Sequence, residues 1–284
     1  MGGAVVGGFT WLEALVVLAA GIAAGAINSV VGSGSLVSFP TLVAVGLPPV
    51  TANVSNTLGL VPGAGAAVWH YRTELRALRT LTRTLVPASI TGALVGSWLL
   101  LAFPSTVFEA VVPVLVAAAV VLVLTQPLVA AAVARRAAAA RPDDATSDEV
   151  TADSTGADAA PASAGSTPRA GVATIVAVGL AGVYGAYFGA AQGVILLGIL
   201  GFTLAGALQQ ANAVKNALAG MANLVAGVIF AVLAPVDWWA VLLVAVGALV
   251  GGSAGARLAR RLPPAVFRAV ITIVGIVALI AVLT

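Results

Sequence analysis

The stretch "GAINSVVGSGSLVSFPTLVAVGLPPVTANVSNT", Gly25 to Thr57, decides how this chain folds. It closes one apolar segment, breaks at a Gly/Ser cluster, resumes as a short apolar run over 35 to 47, and passes through Pro48 and Pro49 into a segment carrying Asn53, Asn56 and Thr57. A spanning helix needs about 20 apolar residues, so the short run cannot cross a bilayer. Broken backbone at membrane depth is tolerated where it is buried in protein or lines a cavity. The same glycines can also be read as a packing turn between closely approaching helices.

The rest of the composition sets the solvent. Of 284 residues, 61% are hydrophobic and 8% charged, and the mean hydropathy is +1.11, which a water-soluble surface does not carry. Apolar stretches recur from end to end, so the chain reads as an integral membrane protein whose body is the membrane portion. Abundant Gly and Ala favour close helix packing over the polar/apolar alternation of a barrel, so the fold class expected is an all-α polytopic bundle. The N-terminus lacks the basic n-region of a signal peptide and is expected to remain as the first helix. The absence of cysteine removes disulfides and thiolate sites, and the sole histidine, His70, has no carboxylate cluster beside it. No metal, cofactor or catalytic constellation is expected, and no Walker-type loop suggests an ATP-driven pump. The net charge of +3 comes from arginines in short loops, which bears on topology and not on nucleic-acid binding.

Two halves resemble each other. "GALVG" occurs at Gly92 to Gly96 and at Gly247 to Gly251. "FPSTVFEAVV" from Phe103 matches "LPPAVFRAVI" from Leu262, and "ANVSNT" from Ala52 pairs with "ANAVKN" from Ala211 at the same offset of 159. "GAINSVVGSGS" from Gly25 parallels "GVYGAYFGAAQ" from Gly182. Such duplication is common in transporters. Each half divides into five apolar segments, roughly 10 to 31, 35 to 47, 50 to 69, 84 to 103 and 106 to 133, then 171 to 190, 193 to 206, 208 to 234, 238 to 256 and 265 to 283. Between them, residues 135 to 170 are rich in Asp, Ser, Thr, Pro and Ala and hold six of the ten acidic residues; they are expected to be a disordered linker. The domains are therefore 1–134, a first membrane repeat, the linker 135–170, and 171–284, a second repeat.

Arginine placement orients the halves. Arg72, Arg76, Arg79 and Arg83 follow the third segment, Arg135 and Arg136 the fifth, and Arg257, Arg260, Arg261 and Arg268 lie between the ninth and tenth. The positive-inside rule places all three groups in the cytoplasm, so the halves run in opposite directions, with both termini outside and the linker inside. Four spans per half, in parallel, is the alternative arrangement.

The only lysine is Lys215, in "QQANAVKNALAG". At 100° per residue Asn212, Asn216 and Asn223 lie within about 40° of one another, flanked by Gln209 and Lys215. Asparagines at helix contacts can be mere glue, and Lys215 can snorkel to the headgroups. The third reading is that Lys215 faces a transported anion, because the carboxylates outside the linker, Glu13, Glu74, Glu109 and Asp237, all lie near predicted segment ends or in a loop. Asn53, Asn56 and Thr57 then supply a facing element, with Asn56 in the place of Lys215, and Pro62 and Gly63 loosen that helix a turn later. The breaks from Asn28 to Pro40 and from Tyr184 to Gly193 bring helix N-termini and the donors Ser33, Ser35 and Gln192 toward the same site.

These motifs together resemble the TauE/SafE family of sulfite and organosulfonate exporters, over essentially the whole chain outside the linker. The resemblance implies a multi-pass plasma-membrane permease for small anions such as sulfite, sulfoacetate or other organosulfur acids, with the bilayer as its surroundings. By motif position it assigns Gly32 and Gly34 to the first break, Gly189 and Gly193 to the second, and Asn212 with Lys215 to the second polar helix. The chain departs from the glycine-richer family breaks at Ser33, Ser35, Ala190, Ala191 and Gln192. A non-transporting intramembrane assembly protein is the competing expectation.

Overall fold

A computed structural model describes residues 5–6, 8–139, 170–204 and 207–258. A two-residue antiparallel pair, β1 (Val5–Val6) and β2 (Phe9–Thr10), precedes the first helix. Thr10 and Glu13 then form a reciprocal capping box that starts α1 (Trp11–Val30): Thr10 N–H donates to Glu13 Oε2 at 2.8 Å and Glu13 N–H to Thr10 Oγ1 at 3.3 Å.

Beyond the break come α2 (Ser35–Ala44), α3 (Pro49–Gly59), α4 (Val61–His70) and α5 (Arg72–Ala77), then the long α6 (Arg79–Ala102) and α7 (Ser105–Ala139). The second half contains α8 (Val172–Tyr187), α9 (Gln192–Thr203), α10 (Leu208–Leu233) and α11 (Trp238–Leu258). Among the described residues five helices are long and apolar enough to cross a membrane, within α1, α6, α7, α10 and α11, while α2, α8 and α9 are shorter apolar helices. This is an all-α membrane bundle. The segment expected over 50 to 69 divides at Leu60, just before Pro62 and Gly63, whereas its counterpart α10 runs unbroken.

The start of the expected linker is also corrected. Residues 135–139 extend α7, because "RRAAA" is strong helix-forming sequence that prolongs an existing helix at no nucleation cost. Residues 140–169 and the tenth apolar segment, 265 to 283, lie outside the described residues.

Two helix pairs dominate the packing, α1 with α11 and α6 with α8. In each, one copy of "GALVG" meets the partner's backbone: Gly247 and Gly251 pack on the carbonyls of Leu18 and Ile22, Gly92 and Gly96 on those of Gly179 and Val183. A side chain at any of these four glycines would overlap a carbonyl oxygen, so their smallness sets the close approach. The outward faces remain apolar, with Trp98, Val114, Leu128, Val232 and Leu233 exposed, as lipid contact requires.

Candidate anion site

The two breaks meet in the interior. Two residues past the end of α1, Gly32, with φ +90°, turns the chain back, and two past the end of α8, Gly189 does the same with φ +79°. Gly193 N–H donates to the Gly32 carbonyl at 2.9 Å, so the breaks touch backbone to backbone. The Asn28 side chain stabilises the first break by accepting from Gly34 N–H at 2.7 Å.

Terminating α1 leaves the carbonyls of its last turn without intrahelical donors. Helix α10 supplies them. Lys215 Nζ donates to the Asn28 carbonyl at 2.8 Å and, at the limit of 3.5 Å, to that of Ser29. Asn216 Nδ2 and Asn212 Nδ2 also donate to Ser29, at 3.2 and 3.0 Å, and Asn212 reaches the Tyr71 hydroxyl at 2.8 Å. Lys215 is 1% exposed, so its side chain turns inward and does not reach for headgroups. The ammonium sits at the negative end of the α1 dipole, an electrostatically matched place for a cation.

The other half repeats the device with less charge. On α3, Asn53 Nδ2 donates to the Tyr187 carbonyl at the end of α8, at 3.0 Å. Asn56, one turn on, is buried with its Oδ1 unpartnered, and Thr57 spends its hydroxyl on the Asn53 carbonyl at 2.9 Å.

A small cavity of about 30 Å³ lies beside the ammonium, room for a water or two. Of the residues expected at a site, Lys215, Asn216, Asn28, Ser35, Gln192, Gly32, Gly189 and Gly193 line it together. Asn212, Asn53, Asn56, Thr57, Ser33 and Gly34 are not in its wall. Gly34 instead packs directly on the Ala24 backbone, and Ser33 is buried without a partner for Oγ. Gln209, at the edge of the polar stripe, is exposed.

The expectation that backbone N–H groups of the breaks point at the site is corrected for most of them. Those of Gly34, Leu36, Val37, Gln192, Gly193 and Val194 are bonded within or between the breaks, since a buried donor must find an acceptor. Side chains supply the donors instead: Lys215 has three N–H bonds to distribute, and Gln192 Nε2 is buried without an acceptor.

Ser29, Gly63, Ala64, Ala67, Ala219 and Gly220 complete the wall and were not anticipated, while Asn223 brings the far end of the α10 stripe to it. The Lys215–Ala219 and Asn216–Gly220 spacings, each of four, were a legible sign that small residues continue the polar face of α10. Ser29 had no such sign, because its contribution is a backbone carbonyl.

Interrupted helices that meet at a buried cavity are a recurrent feature of polytopic membrane transporters. The chain belongs to the TauE/SafE family: residues 17–282 match the family described as Sulfite exporter TauE/SafE. No curated protein and no solved structure matches it.

Proposed function

We propose that this protein carries small sulfur oxyanions, sulfite or organosulfonates, out of the cell through the cavity beside Lys215. The observation that carries the reading is the buried ammonium held by two neutral carbonyls next to the unpaired donor of Gln192. An anion entering the cavity offers Lys215 a full charge where the α1 carbonyls offer only partial ones, and it accepts from Gln192, Asn216 and Ser35. The enclosed space is too small for a hydrated oxyanion, so loading requires the walls to part.

The helix pairs suggest how. Helices α1 and α11, joined by their glycine contacts, form one unit with α4; α6 and α8 form the other with α10. The bonds from Lys215, Asn212 and Asn216 to α1 cross between these units. An anion that draws Lys215 away from Asn28 weakens that crossing and frees the units to rock about the Gly32–Gly193 contact.

We read the two units as an exchange of first and fourth segments between inverted repeats, 1–134 and 171–284. The matched roles of the two "GALVG" copies, and of Asn53 and Asn212 at the ends of α8 and α1, support it. In this arrangement the protein lies in the plasma membrane. Arg72 to Arg83, the end of α7 and the linker that follows it face the cytoplasm, while Pro104, Asp237 and both termini face outward.

Sulfite efflux from proteoliposomes carrying Lys215→Gln and Lys215→Arg at matched protein content tests the reading. The neutral amide removes a desolvated charge pair worth about 2–5 kcal/mol, so the Gln variant loses most of its anion affinity. The planar guanidinium, too bulky for the small cavity, rescues poorly. Wild-type efflux in the Gln variant refutes the site, and absent efflux in the wild type under every gradient favours an assembly role.

A further inference from the structure

A second concavity lies on the outside of the bundle, on the opposite face of α4 from the Lys215 cavity. It is a groove of about 380 Å³ lined by Gly65, Val68, Trp69, Arg72, Leu75, Arg76 and Arg79. We propose that this groove binds the headgroup of an anionic phospholipid from the surrounding bilayer.

Charge complementarity comes first. Arg72, Arg76 and Arg79 are exposed and converge on one groove, whereas Glu74, the acid on α5, does not line it. At 100° per residue Glu74 falls about 160° from both Arg72 and Arg76 around α5, on the face turned away from them. The geometry is also preset. The Arg72 guanidinium stacks over Trp69, 5.0 Å from the ring centroid, and donates to the Trp69 carbonyl at 3.1 Å. Five N–H donors on a planar fork leave others for a phosphodiester.

The floor and position select a lipid over a free ion. Gly65 has open space where a side chain would stand, and Val68 and Leu75 form an apolar floor. Trp69 is 65% exposed, which suits an indole at the boundary between hydrocarbon and headgroups. Arg79 is the first residue of the α6 span, so the guanidiniums sit where that span leaves the apolar layer. An acyl chain can lie along the apolar floor while the phosphate meets the arginines, the arrangement of basic lipid sites beside membrane helices.

The test uses the full chain in detergent and native mass spectrometry with phosphatidylglycerol or phosphatidylcholine added. Phosphatidylglycerol should bind at least tenfold more tightly than phosphatidylcholine. The variant R72Q/R76Q/R79Q should bind it about a hundredfold more weakly, and R72K/R76K/R79K, which keeps the charge but loses the stacked planar fork, should fall between the two. All three side chains are exposed, so the core is untouched; if the triple variant is not monodisperse, R76Q alone should still weaken binding about fivefold. Equal binding of the two lipids, or unchanged binding by the Gln variants, overturns the proposal. Full displacement of phosphatidylglycerol by millimolar inorganic phosphate identifies a free-anion site and overturns it too.

Discussion

Substituting the two glycines where the breaks touch separates the terms that hold the site together. Gly32 has φ +90°, and a Cβ on it would overlap the Gly193 Cα; a Cβ on Gly193, which is in helical conformation, would overlap the Gly32 Cα. An Ala at positive φ costs about 1–2 kcal/mol. Forcing an extra carbon into a filled contact costs about 1–3 kcal/mol. Parting the strands of the break also strains the 2.9 Å bond from Gly193 to Gly32, whose loss while buried costs about 1–3 kcal/mol. Gly32→Ala therefore loses about 3–8 kcal/mol, and Gly193→Ala, spared the conformational cost, about 2–6 kcal/mol. Gly46 is the control: its φ is +98° but nothing lies within 4 Å of a Cβ there, so Gly46→Ala should cost only the conformational part, about 1–2 kcal/mol. The double variant should fall short of the sum of the singles, because one separation of the breaks relieves both overlaps. Denaturant unfolding of the detergent-solubilised chain measures the order Gly32→Ala, then Gly193→Ala, then Gly46→Ala. A Gly32→Ala variant no less stable than Gly46→Ala would refute the argument that the breaks support each other.

Asp237 accepts from Ala240 N–H at 2.8 Å at the start of α11, while its own N–H donates to Ser55 Oγ at 2.9 Å; Asp237→Ala should cost about 0.5–2 kcal/mol by thermal unfolding and leave sulfite selectivity unchanged. The chain has no cysteine, so Thr80→Cys should react with an impermeant maleimide from the cytoplasmic side, and Pro104→Cys and Pro235→Cys from outside; reaction of Pro235→Cys from the cytoplasmic side together with Thr80→Cys would refute the inverted arrangement in favour of the parallel one. Protease added to inside-out vesicles should cut between residues 140 and 169 before any other site, because that composition cannot build a core, and cutting only from the opposite side would reverse the orientation.

Much of the architecture was legible because it rests on local properties. Glycine and proline mark breaks wherever they stand, so the interruptions near Gly32 and Gly189 and the short α2 and α9 could be read directly, whereas Pro62 and Gly63 signalled a loosening of the third segment and not its division at Leu60. Periodicity placed Asn212, Asn216 and Lys215 on one face of α10, and all three are buried. The strands β1 and β2 were not legible, since two residues carry no period, and α7 continues to Ala139 because charge alone does not end a helix.

What the sequence by itself determined is the solvent and the parts: a membrane bundle, two interrupted segments, one polar helix with a single ammonium and no nearby carboxylate. Only the tertiary structure decided what that ammonium touches. Its acceptors are the carbonyls of Asn28 and Ser29, groups that every residue possesses and that become available only where a helix stops beside another. The same holds for the first half's asparagines. Asn53 reaches Tyr187 instead of the Lys215 cavity because α1 packs on α11 and α8 on α6, and that pairing follows from the close backbone approach at two distant "GALVG" copies. Composition and periodicity are properties of a segment, whereas the direction in which a buried donor finds its acceptor is a property of the packed whole.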